Sequence, residues 1–475
     1  MPPMTRPNVL YLHSHDTGRH ASPYGFAVDT PNLQRFAERG VTYRQAFCNN
    51  PTCSPSRACL LSGRYAHSNG MMGLTHRGGR LEQPERTMPA VLRDAGYETV
   101  LAGLQHVHTL EDGASMRDLG YTDELFRKRR GVDPHDWAGL DEATVEVAAG
   151  FLRRRSGGDR AGGAAAGKPF LLDVGFFATH RTPKPGAGPA DEQWHNAGGS
   201  PAGDSRYARV PAPLPDTPAT RADFADFAAA VARLDRYHGA ILDALDAAGL
   251  QENTLVFVTT DHGLAFPHMK CNLTHHGTGV LLLMAGAGLP EGVVVDSLVS
   301  HVDLLPTVCE AAGIDTPAWA QGRTLRPALD DPQNPAAVRD AVFAEVNDHA
   351  AHEPMRSVRT ARHSYIRRLD AHRPPHAVLP NIDNGPSKTR LHAAGVLDGP
   401  RPDEQLFDLF LDPSEACNVA ADPRYARELA EMRARLDGWM RDTDDPALGG
   451  DPRTPGMRLH PADGYDASGP AFVQA

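Results

Sequence analysis

Short unbroken apolar runs alternate along this chain with stretches in which apolar residues recur every three or four positions. "NVLYLH" (8–13), "ETVLAG" (98–103), "PFLLDVGFFATH" (169–180), "NTLVFVTTDHG" (253–263) and "GVLLLMAG" (279–286) read as strands buried on both faces. Between them, "TPNLQRFAERG" (30–40) carries the marks of a helix: Thr30 as N-cap, Pro31 in the first turn, apolar residues at 33, 36 and 37, and Gly40 as a stop. Residues 88–97, 224–250 and 300–314 have the same helical period. Buried strands alternating with helices predict an α/β protein, with a mostly parallel or mixed sheet sandwiched by helices. From residue 351 the pattern changes. "MRSVRTARHSYIRRL" (355–369) and "EQLFDLFLD" (404–412) alternate like antiparallel strands with one wet face, and 423–443 is helical. Residues 1–350 are therefore expected to form the larger unit, and 351–475 a smaller α+β unit with a small antiparallel sheet and a helix. Two Gly-, Ala- or Pro-rich stretches, 153–169 and 180–221, read as insertions or linkers.

In sheets of this kind, ligands gather beyond the carboxyl ends of the strands. Four strands end in reactive side chains, in "LHSHD", "LAGLQHVH", "FFATH" and "VTTDHG". Asp16 follows one strand and the Asp261-His262 pair another, so these side chains can converge on a cation. "CSPSRACLLSG" (53–63) places Cys53 at the start of a helix that Gly63 closes, with Arg57 about one turn on. The positive end of the helix and the guanidinium both favour an anion there, which would make Cys53 a low-pKa thiolate nucleophile. A small buried core residue is the other reading.

Composition narrows the class. A formal charge of -11 argues against nucleic-acid binding, and "RKRR" (127–130) and "RRR" (153–155) read as solvated edges. No apolar run reaches membrane-spanning length, and "MPPMTRPNVLYLHSHD" has no hydrophobic signal core. The six cysteines lack paired spacing. A cytoplasmic location is the expectation.

The string Cys-x-Pro-Ser-Arg, with Leu61 and Gly63 beyond it, resembles the signature of the type I sulfatases of the alkaline phosphatase superfamily. "PNVLYLHSHD", "TPNLQRFAERGVTYRQAFC", "LDRYHGAILDALDAAGLQENTLVFVTTDHG", "VDLLPTVCEAAGI" and "LFDLFLDPSEACNVAADPRY" follow in that family's order. "CSPSRACLLSGRYAHSNGMMGL", "PHMKCNLTHHGTG" and "PMRSVRT" look most like its N-sulfoglucosamine sulfohydrolase (sulfamidase) branch. The resemblance implies a hydrolase of sulfate esters or sulfamates acting on a small-molecule or saccharide substrate. It implies that a formylglycine-generating enzyme converts Cys53 to formylglycine, the nucleophile and a metal ligand, with Arg57 orienting it. It implies one divalent cation at Asp16, Asp261 and His262. The family usually has a second aspartate where this chain has His15, a departure that shifts the preference from Ca2+ towards Mn2+. His106 and His180 match the family's proton-handling histidines, and Lys270 its sulfate-clamping cation. Leu104 stands where the family has lysine, and His108 is a candidate replacement. His275 and His276 are candidates to line the substrate pocket. A phosphonate monoester or phosphodiester hydrolase, and a non-catalytic binding protein on the same scaffold, are the rival readings.

Overall fold

The computed structural model describes residues 6–109, 115–125, 137–156, 167–183, 192–194, 204–370, 374, 376–467 and 471–474. "RKRR" lies outside them, as do parts of both expected linkers. The main sheet has eight strands: β1 (Asn8–Ser14), β2 (Val41–Tyr43), β3 (Glu98–Gly103), β4 (Asp123–Glu124), β5 (Phe170–Gly175), β6 (Thr254–Thr260), β7 (Leu282–Ala285) and β8 (Val293–Val295). They are ordered β8-β2-β7-β6-β1-β5-β3-β4. Every neighbouring pair is parallel except those of β7, which runs antiparallel to β6 and β2. The sheet is therefore mixed. After Thr260 the chain stays at the strand's carboxyl edge, in the short helix His275–Thr278 and the turns before it. It re-enters the sheet from that same end, so β7 runs backwards.

The period-two pleat explains the unbroken apolar runs. Val9 and Tyr11 face one core, shared with Leu60 and Leu61 of helix α2 (Cys53–Ser62). Leu10 and Leu12 face the opposite core. Further helices cover the two faces: α1 (Pro31–Glu38), α3 (Met88–Asp94), α4 (Trp137–Arg155), α5 (Pro218–Ala247) and α6 (Leu304–Ala311). Helix α5 starts six residues before the expected 224, because Thr217 and Thr220 form a capping box ahead of the apolar stripe. The expected helix at 300–314 opens as a 3-10 turn, His301–Asp303, and becomes α-helical at Leu304.

A second sheet, antiparallel throughout, contains β9 (Ala341–Asp348), β10 (His352–Thr360), β11 (His363–Arg368) and β12 (Glu404–Asp408). Val358, Tyr365 and Leu406 pack on Leu429, Met432 and Leu436 of α7 (Ala426–Asp442). The expected boundary at 350/351 falls between β9 and β10, inside this sheet, which draws its first strand from the larger segment. Among the described residues no helix is long and apolar enough to cross a membrane.

Candidate active site

Strand register brings the reactive residues level. Ser14 lies beside Thr260, His13 beside Gly175, and Gly103 beside Gly175, so β1, β6, β5 and β3 end along one line. The residues that follow turn over that edge. Asp16 does so in the left-handed region, at φ +50°, a conformation that aspartate tolerates better than most residues. Its backbone N–H donates to Asp261 Oδ1 at 2.9 Å, and the His262 N–H donates to the same oxygen at 2.9 Å. Asp261 Oδ2 faces Arg57 Nη2 at 3.0 Å and His15 Nδ1 at 2.9 Å.

Cys53 is the first residue of α2, and its Sγ lies 3.4 Å from His262 Nε2. That Nε2 is also 3.3 Å from Asp16 Oδ1. The His262 Nδ1–H donates to Gly263 O at 2.9 Å, so in the Nδ1–H tautomer Nε2 presents a lone pair towards a carboxylate oxygen. Asp16 Oδ1 is buried and has no hydrogen-bond donor. Ligand atoms of His15, Asp16, Cys53 and Asp261 all lie within 4.8 Å of one another. Lone pairs and carboxylates facing each other in a buried space fit a divalent cation.

Buried charges around this point act on one another. Burial pushes the Asp16 carboxyl up to about 6, against the pull of Lys270 and His262. Burial alone would also raise Asp261, but His262, Arg57 and His15 outweigh it and hold that carboxyl well below the usual range. The low-pKa thiolate expected at Cys53 is not found. Burial drives the thiol well up, and Asp261 and Asp16 add to it, outweighing Lys270 and Arg57. Arg57 does not bond to the sulfur; its donors go to His13 Nδ1 (2.5 Å), Ser14 O (2.7 Å) and Asp261.

The remaining expected residues separate into two groups. The Lys270 ammonium lies 3.4 Å from Asp16 Oδ2 and 3.2 Å from Asp383 Oδ2. The His15 ring stands 5.6 Å from that of His106 and 5.1 Å from that of His180. His180 Nδ1–H donates to Arg181 O at 2.5 Å, and burial, with Lys270 nearby, lowers the imidazole to about 4. His106, another left-handed residue at φ +53°, is lowered well below its ordinary value by burial and by His76. His108, His275 and His276 are not brought into this group. His108 pairs with Asp118 at 3.2 Å. His275 pairs with Glu415, and His276 bonds Ser414 O at 2.9 Å; both line a separate cleft with Arg19 and Arg359.

Five participants escaped the sequence reading. His13 Nδ1 accepts from Arg57, so its Nε2–H must donate to Asp173 Oδ1 at 2.9 Å, and Tyr121 donates to Asp173 Oδ2 at 2.5 Å. A histidine and an aspartate interrupting buried apolar strands were the available signal. Asp383 lies on an irregular segment and His76 in the short 3-10 turn Thr75–Arg77, and neither carried a signal.

The family model described as Sulfatase matches residues 7–314. The chain belongs to the sulfatase family. The chain is 31% identical to the human N-sulphoglucosamine sulphohydrolase over 92% of its own length and 91% of that protein's. Its fold matches a solved 2-O GAG sulfatase at a TM-score of 0.65, with 24% identity and 94% of each chain covered. A phosphonate monoester hydrolase from Silicibacter pomeroyi shares the fold at a TM-score of 0.64 and 19% identity, covering 93% of this chain and 96% of that one. As a sulfatase, the protein is an enzyme that hydrolyses sulfate esters or sulfamates.

Proposed function

We propose that this sulfatase cleaves a saccharide sulfate or sulfamate, using position 53 as nucleophile after conversion of the cysteine to formylglycine. The observation carrying this reading is the convergence of Cys53 with Asp16, Asp261 and His262 at one strand edge. A bare thiol there is protonated and poorly nucleophilic. Formylglycine would supply a hydrated aldehyde oxygen at that point, and a divalent cation would stabilise charge on sulfate oxygens. Asp16, Asp261, His262 and His15 are the residues to hold the cation.

The chain's own groups complete the chemistry. Lys270 sets a buried positive charge beside Asp16, placed to bind sulfate oxygens. Arg57 is anchored by His13 and Asp261, and its Nε is buried without an acceptor, so the guanidinium keeps donor capacity for an oxygen at position 53. His180 is the proton carrier to the departing oxygen or nitrogen. It can do this only as the imidazolium, and a sulfate monoanion beside it raises its proton affinity. His106 is the acceptor for the proton released when sulfate departs.

The experiment is peptide mass spectrometry across Cys53 after co-expression with a formylglycine-generating enzyme, set beside turnover of 4-nitrophenyl sulfate and N-sulfoglucosamine. Conversion and activity should rise together. Full activity with an unconverted thiol would contradict the reading. The imidazoles of His15 and His262 in the cation set favour one second reading, a phosphonate monoester hydrolase with a Mn2+-type site. Faster turnover of an aryl phosphonate monoester than of the aryl sulfate would select it.

A further inference from the structure

At the rim of this site two arginines meet with no carboxylate between them. Gly73 and Gly78 press against the C-terminal segment, and at Gly78 backbone meets backbone so closely that a side chain has no room. A Cβ at Gly73 would stand 2.3 Å from Met457 Cε, and one at Gly78, where φ is +108°, would stand 2.7 Å from Gly456 O. This packing ties each guanidinium to the other segment's backbone. Arg77 Nη1 donates to Arg458 O at 3.3 Å, and Arg458 Nη2 donates to His76 O.

Among the described residues neither arginine makes an ion pair, and Arg77 Nε is buried without an acceptor. Burial and the neighbouring Arg458 lower Arg77, with no acid offsetting them. In a chain of net charge -11, two adjacent unneutralised guanidiniums are an electrostatic exception. They match the planar, multidentate donors that hold carboxylate or sulfate.

The pair is connected to the catalytic group. His76, next to Arg77, is exposed and stacks on His106 at 5.8 Å with 7° between the rings, and His106 in turn neighbours His15. On the Lys270 side stands the Asp383 carboxylate. Burial would raise it, but Lys270, His180 and His349 hold it well below its ordinary value, so it is ionised and repels anions.

We propose that Arg77 and Arg458 bind a second anionic group, a carboxylate or further sulfate, on a saccharide whose scissile sulfate sits at Cys53. This rests on the sulfatase reading and narrows its substrate class to multiply charged acidic saccharides.

The test uses full-length, matured, metal-loaded protein and the variants Arg77→Gln, Arg458→Gln and their combination. Substrates are 4-nitrophenyl sulfate, N-sulfoglucosamine, the same sugar with a second sulfate at O6, and its disaccharide with a uronate. The double variant should lower the kcat/KM ratio of doubly charged substrate to 4-nitrophenyl sulfate by at least about tenfold, through KM, and weaken its salt dependence. Loss confined to the disulfated sugar identifies sulfate as the ligand; loss confined to the disaccharide identifies the carboxylate. Unchanged ratios, or an equal fall in kcat on every substrate, would overturn the proposal. If the wild type turns over no sulfate, the sulfatase reading fails instead. Calorimetric binding of the uronate disaccharide then decides the subsite, which requires weaker binding to the double variant and is overturned by equal binding.

Discussion

At Cys53, burial and the positive end of α2 act on the thiol in opposite directions, and burial wins. An unconverted preparation should therefore resist iodoacetamide at Cys53 while exposed Cys417 reacts, as mass mapping would show; rapid alkylation at 53 would contradict the buried geometry. Lys270→Ala should lower kcat by about 10²–10³-fold, the range for removing one preorganised charge-stabilising donor. His13 acts one step further out, through Arg57. Asp173→Asn takes away the carboxylate that holds His13 in its Nε2–H tautomer. It should lower kcat about tenfold or more while leaving KM near the wild-type value. A change in KM alone would show that the relay does not position Arg57. The gathering of Asp16, Arg57 and Asp261 was legible because they follow strands or sit in a motif, and that of Lys270 only through the family resemblance. The role of His13 was not, because it depends on β5 being the neighbour of β1, a pairing between residues far apart in sequence.

Helix α2 is the element on which the site depends, since its first residue is Cys53 and its whole length is buried. It ends at Gly63 with φ +64°, where a Cβ would stand 3.0 Å from Leu305 Cδ2. Gly63→Ala should cost about 1 kcal/mol or more in denaturant unfolding, from left-handed backbone and crowding together. A variant as stable as the wild type would show that α6 can yield. The strands β1, β3, β5 and β6 and most helices were legible from apolar period. The antiparallel direction of β7 was not, because a four-residue apolar strand carries no mark of its direction. What reverses it is that residues 261–281 remain at the carboxyl edge, building the site.

At the scale of the whole molecule, a buried ionic cluster ties the second sheet to the short helix Ala66–Asn69 and to the segment after α7. His67 Nδ1 lies 2.9 Å from Glu345 Oε1, and Arg356 makes two bonds to Asp445, from Nε at 2.5 Å and from Nη2 at 2.9 Å. Burial alone would raise Glu345, but His67 and Arg356 hold its carboxyl at about 2. A depressed carboxyl contributes stability that is complete above its unfolded value of about 4.3 and disappears as pH falls towards its folded value. The free energy of unfolding in urea should therefore fall between about pH 4.5 and 2, by on the order of 3 kcal/mol from this group, and less steeply in Glu345→Gln. Equal slopes would remove Glu345 from the acid response. The change to an antiparallel pattern near 351 was legible, but β9 was not assigned to that sheet, because its partner β10 lies beyond the expected boundary. The central claim concerns how β1, β6 and α2 meet over one ion. Its most direct measurement is anomalous diffraction from crystals of the matured protein soaked with Mn2+. One peak per chain, about 2.0–2.6 Å from carboxylate oxygens of both Asp16 and Asp261, is the predicted result. A peak elsewhere, with those two carboxylates bound only to protein donors, would contradict it.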